Sequence, residues 1–188
     1  MLGACTNSSA QAYWRGQVLA SRASISTPFS TRTQTLADIA RLEIARIRAY
    51  HSGDTKRLPR DVVMFALASG ERMGELRLVC HPSVSVIASK FATSSLWAAH
   101  QGEGDLGLVE PYSAESALVV RQDLAVLAVW LQPDAAEFIA AIQSGIALGE
   151  AAGIAVHTAG NSDLTQTLGH LMTHGALTSI HLPQRLDS

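Results

Sequence analysis

Apolar residues recur at helical spacing through TQTLADIARLEIARIRAYHSGD, residues 33–54. Leu36, Ile39, Ala40, Ile44, Ile47 and Tyr50 fall on one stripe, with Arg41 and Arg48 well away from it. The pattern predicts an amphipathic helix that buries this stripe and stops at Gly53, a residue suited to a helix end. Glu43 projects onto the stripe, where a carboxylate is costly without a partner; Arg46, three residues on, is spaced to pair with it. A snorkelling or intrahelically paired glutamate is favoured over a catalytic one, because no second acid stands nearby. A second helix is expected over about Arg60 to Ala68.

After Gly74 the texture changes. LRLVC, ALVVR and AVLAVWL are short, apolar or β-branched and bounded by Pro, Gly, Asp or Gln, as strands are. ALVVRQDLAVLAVWL reads as a hairpin turning near Gln122-Asp123. In its second arm Leu127, Val129 and Leu131 face one way and Val126, Ala128 and Trp130 the other, so both faces are apolar. A helix follows in PDAAEFIAAIQSG, with Pro133 suited to its first turn and Gly145 to its end. Then come the short IALGEAAG and a helix opened by Asn161 or Ser162, and ALTSI after Gly175 is a candidate returning strand. Strand, strand, helix, helix, helix and a closing strand describe a winged-helix-like module. The fold class expected is α+β: an N-terminal helical region, residues 1–73, and a mixed module with a small antiparallel sheet, residues 74–188. Residues 6–32 carry no clear pattern.

Composition narrows the class. With 188 residues, 47% of them hydrophobic and 16% charged, the chain can bury a substantial core, which argues against disorder. MLGACT mimics a lipoprotein cleavage box, but neither a charged start nor an apolar segment precedes Cys5, and no apolar run approaches the roughly 20 residues that span a bilayer. Two distant cysteines, Cys5 and Cys80, make no disulfide framework, so the expected compartment is the reducing cytosol, with no membrane partner. Charge is unevenly placed. Residues 1–80 hold eleven Lys/Arg against six Asp/Glu, and residues 81–188 hold three against ten.

The segment DLTQTLGHLMTHGALTSI, residues 163–180, admits three readings. Leu164, Leu168, Leu171 and Met172 make one helical stripe, and Asp163, Thr167, His170 and His174 another. Two histidines four residues apart suggest metal, yet a catalytic zinc needs three protein ligands, and Leu171 stands where a metalloprotease helix needs Glu. Asp163 is about two turns from His170, too far to share a site with His174. Helix-dipole complementarity and a Gly175 cap explain the same residues. A DNA-reading helix needs cations, and between Asp123 and Gln184 there is no Lys or Arg, which argues against a nucleic-acid partner for this module. The third reading is a cleft between AVLAVWL and this helix. That strand has no Lys or Pro to blunt its edge, so an extended peptide can pair with it while the helix stripe receives alternate side chains. Equally, LRLVC or ALTSI can cover the same edge.

The stretch LVVRQDLAVLAVWLQPDAAEFIAAIQSGIALGEA together with DLTQTLGHLMTHGAL resembles the recognition elements of pathways that modify ribosomally made peptides. Taken with TLADIARLEIARIRAYHSGD and LRLVCHPSVSVIASKFATSSLW, it is similar to the HvfC/BufC family of partner proteins over roughly residues 33–181, and the short length points to that family's methanobactin-biosynthesis branch. The resemblance implies a non-catalytic subunit of a hetero-oligomer with a multinuclear non-haem iron oxidase. It places the iron in the oxidase and implies no cofactor in this chain. It implies that Val126, Leu127, Ala128, Val129 and Trp130, with Leu164, Leu168, Leu171 and Met172, bind the leader of a precursor peptide as an added strand. It further implies that His81, Pro82, Ser83 and Trp97, which match the family's motif, shape the oxidase interface. Residues 6–32 depart from longer relatives.

The residues themselves agree that no active site is assembled: there is no phosphate loop, nucleophile elbow or Cys/His cluster. His51, His81 and His100 are read as surface or hydrogen-bonded histidines. The alternatives are a regulatory protein that binds another protein or nucleic acid through the basic N-terminal half and, last, a metallohydrolase using His170 and His174.

Overall fold

A computed structural model describes residues 29–68, 70–132, 135–159 and 164–182. The chain divides into two compact units, Met1–Gln34 and Thr35–Ser188, and the candidate site lies wholly in the second. Among the described residues the helices are α1 (Phe29–Tyr50), α2 (Arg60–Leu67), α3 (Thr93–His100), α4 (Ala135–Gln143), α5 (Leu148–Ala159) and α6 (Leu164–Thr173). The strands are β1 (Arg77–Cys80), β2 (Ser85–Ser89), β3 (Glu115–Gln122), β4 (Ala125–Leu131) and β5 (Leu177–His181), with 3-10 turns at Gly70–Glu75 and Leu106–Leu108. The fold is α+β, and β3, β4, α4, α5, α6 and β5 follow one another in the order read from the sequence. No helix among the described residues is long and apolar enough to cross a membrane.

The strands form two antiparallel ladders, β2-β3-β4 and β1-β5. β3 is the central strand of the larger sheet, and its side chains alternate between two cores. Leu118 and Val120 enter a core built with Phe138, Ile139 and Ile142 of α4, Ala151 and Ala155 of α5, and Leu171 of α6. Ala117 and Val119 enter a second core with Leu42, Ala45 and Ala49 of α1 and Trp97 of α3. This explains why the hairpin reads apolar on both faces, as a sheet covered on both sides does. The hairpin turns at Asp123-Leu124, one residue later than expected, with Asp123 in the left-handed region (φ 55°), which a short polar side chain tolerates. Gly145 and Gly175, both at positive φ, close α4 and α6. In each case the amide after the glycine bonds back five residues, Ile146 to Ala141 and Ala176 to Leu171. Pro133, Asn161, Ser162 and Asp163 lie outside the described residues.

The stripe expected to bury α1 is corrected by the structure. Leu36 (56% exposed), Ile44, Ile47 (58%) and Tyr50 face outward, and the helix buries Asp38, Leu42, Ala45 and Ala49 instead. The sheet face it meets carries Ala117, Val119 and Ala128, and small residues at 45 and 49 fit a helix against such a surface where Ile44 and Ile47 would not. Asp38 is accommodated because Ser89 Oγ and Arg41 Nη1 each donate to it at 2.8 Å. The helix also stops at Tyr50 rather than Gly53, where the Ser52 amide and hydroxyl both bond the Ala49 carbonyl. The division of secondary-structure type near Met73 is not a division of packing: Val63 of α2 shares a core with Leu76, Leu78 and Phe138.

Neither β2 nor α3 is apparent in the sequence. Unlike α2 of the same length, α3 (TSSLWAAH) shows almost no apolar periodicity, and its start is capped from elsewhere: the buried Glu115 carboxylate on β3 accepts from the Ser95 amide (2.9 Å) and hydroxyl (2.5 Å).

Candidate functional site

β4 pairs with β3 along its length, from Ser116↔Leu131 to Gln122↔Ala125, and its other edge is paired with no described strand. The two strands weighed as covers for that edge, LRLVC and ALTSI, pair instead with each other, from Arg77↔His181 to Cys80↔Leu177. Val126, Leu127, Ala128 and Val129 are half-buried and Trp130 is 42% exposed. Leu127 and Val129 pack toward the α4–α6 core, Val126 and Ala128 toward the α1–α3 core.

α6 is rotated relative to the wheel read from sequence. Thr167 and Leu171 point inward and are buried, while Leu164, Leu168 and Met172 are half-buried at the margin of the core that Leu127 and Val129 also border. Leu171, expected to touch peptide, is therefore a core residue; the other three leave apolar surface accessible on the α6 side. The His170 and His174 rings stack with centroids 6.1 Å apart. Burial, and then the neighbouring His170, lowers the His174 pKa. Among the described residues no group of three or more His, Cys, Asp or Glu is placed to hold a metal ion.

No protein-family model matches this sequence, and no curated protein matches it. What the site can hold follows from its geometry: a backbone edge that no described strand pairs, with accessible apolar side chains on both of its faces, is of a kind that can receive an extended chain.

Of the four residues assigned to an oxidase interface, Pro82 alone is exposed, while His81, Ser83 and Trp97 are buried within this chain and can shape a surface only from beneath. The Trp97 indole N–H donates to Glu43 Oε1, and the Arg46 guanidinium lies 4.4 Å from its ring centroid. Glu43 Oε2 also accepts from Arg46 Nη1 at 3.4 Å, the intrahelical pairing expected from their spacing. His81 Nδ1 accepts from the Ser83 amide at 3.1 Å and lies 2.8 Å from Ser83 Oγ, which in turn accepts from the Arg121 amide of β3 at 3.1 Å. Arg121 also donates to the Tyr50 carbonyl and to Asp54, and Arg57 donates to the Arg121 carbonyl, so this cluster ties the end of α1 and the loop after it to the hairpin.

Burial, then the charges of Arg57 and Arg121, lower the His81 pKa below its ordinary 6.5. Between that lowered value and about 6.5 the unfolded chain binds more protons than the folded one. The stabilisation is therefore complete above that range and is lost as pH falls through it. Melting temperature should fall on acidification from about pH 7 to pH 5, and His81→Gln and His174→Gln should each flatten that slope. An unchanged slope in both variants would contradict the assignment. Burial also raises the Cys80 thiol to about 11, which keeps it protonated and unreactive at neutral pH.

Proposed function

We propose that this chain is a non-catalytic partner subunit that holds an extended precursor peptide as an added strand on β4, beside α6, and presents it to a multinuclear non-haem iron oxidase of the methanobactin type. The observation that carries the reading is the apolar edge of β4, which no described strand pairs, together with Leu164, Leu168 and Met172, half-buried at the margin of the core that Leu127 and Val129 also border. Backbone pairing would supply register, and the apolar margin would supply pockets for alternate side chains. The absence of Lys and Arg between Asp123 and Gln184 suits a polypeptide ligand better than a nucleic acid. The iron and the oxidation chemistry belong to the partner; this chain's residues bind and orient.

Co-expression with candidate multinuclear iron oxidases and candidate precursor peptides tests the proposal. The expected result is a mass-shifted peptide that requires all three components, with iron co-purifying with the oxidase. Unmodified peptide in every combination, or salt-sensitive DNA binding by the chain alone, would overturn it.

A further inference from the structure

The apolar stripe of α1 that faces away from the core does not stand alone. Ile47 and Tyr50 adjoin Leu124, which is 86% exposed at the tip of the hairpin, and with Val126 they line an open cleft that Glu43 and Arg46 rim. Val126 lines this cleft and is also the second residue of β4, so the cleft reaches the strand whose outer edge no described strand pairs. It lies on the α1 face of the sheet, whereas Leu127 and Val129 look toward the α4–α6 core. Successive side chains of any strand added to β4 alternate between those two faces. A chain that pairs there meets apolar surface with its odd residues on one side and its even residues on the other.

We infer that this cleft is a second side-chain subsite of the β4 edge, so that the bound peptide is gripped on both faces and carries large apolar residues at both parities near the hairpin end. The inference rests on the edge-pairing reading and adds to it the chemistry of the occupant. Ile47, Tyr50 and Leu124 are all exposed and line the same cleft, so their apolar surfaces adjoin. Of its polar lining residues, Glu43 and Arg46 are paired with each other and the His51 ring stands edge-on to Tyr50, so the cleft favours apolar bulk over a charged side chain.

Two lysine-flanked, fluorescein-labelled peptides of about ten residues test it, one with leucine at every central position and one alternating leucine with serine. The full-length protein should bind the first about tenfold more tightly than the second by fluorescence anisotropy, the gain expected from burying one further large apolar side chain. Ile47→Ser with Leu124→Ser, both at exposed positions, should erase that difference and leave the alternating peptide's affinity as it was. If both peptides bind equally to the unaltered protein, or the difference survives the double substitution, the second subsite is wrong while edge pairing stands. If neither peptide binds, or binding is indifferent to proline in β4, edge pairing itself fails and the second subsite with it.

Discussion

Phe138→Ala is expected to destabilise the fold by about 3–5 kcal/mol, the cost of deleting a buried aromatic and leaving a cavity that neighbours refill only in part. Phe138 is fully buried on α4, in the core that Leu118 and Val120 of β3 enter from the sheet and Ile139 and Ile142 share from the same helix. For a chain of this length that loss corresponds to a drop in melting temperature on the order of 10 °C. Phe65→Ala removes the same ring from α2, where it is 84% exposed, and should change stability by no more than about 0.5 kcal/mol. Urea denaturation of both variants checks the pair. Equal effects would mean that α4 does not anchor the sheet.

Proline in β4 should abolish peptide binding more completely than any side-chain truncation there, because strand addition depends on backbone donors that proline lacks. Ala128 and Val129 are consecutive, so one amide points to β3 and the other to the open edge. Of Ala128→Pro and Val129→Pro, the variant that keeps its ladder bond should fold, by circular dichroism, yet bind the leucine-rich peptide at least about tenfold more weakly. Parental affinity in that folded variant would rule out pairing at this position. The two experiments test different elements: the packing of α4 against the sheet, and the proposed pairing edge of β4.

How far these elements are legible in the residues differs from one to the next. The β3-β4 hairpin is plain because both arms must be apolar on both faces to sit between two helical layers, and that requirement is written residue by residue. α4 and α6 are plain because their glycine ends and apolar spacing are local signals, whereas α5, read as the short IALGEAAG, continues through Gly153 to Ala159. α3 is not, because the carboxylate that caps it comes from Glu115, twenty residues away from Ser95. The site is half legible: β4 as a candidate edge follows from the lack of Lys or Pro, but whether another strand covered it depended on the partner choice of β1 and β5.

The α1 helix shows where the division falls. Its existence and its apolar stripe follow from spacing along the chain, since a 3.6-residue period needs no knowledge of neighbours. Which side faces inward does not, because that depends on the shape of the surface it meets. A sheet face of Ala117, Val119 and Ala128 took the small side chains of Ala45 and Ala49 and turned Ile47 and Tyr50 outward. Local pattern thus settled most elements and their order, though not β2 or α3, and long-range packing settled which apolar surfaces were consumed and which were left accessible, because burial is a property of pairs of surfaces and not of one.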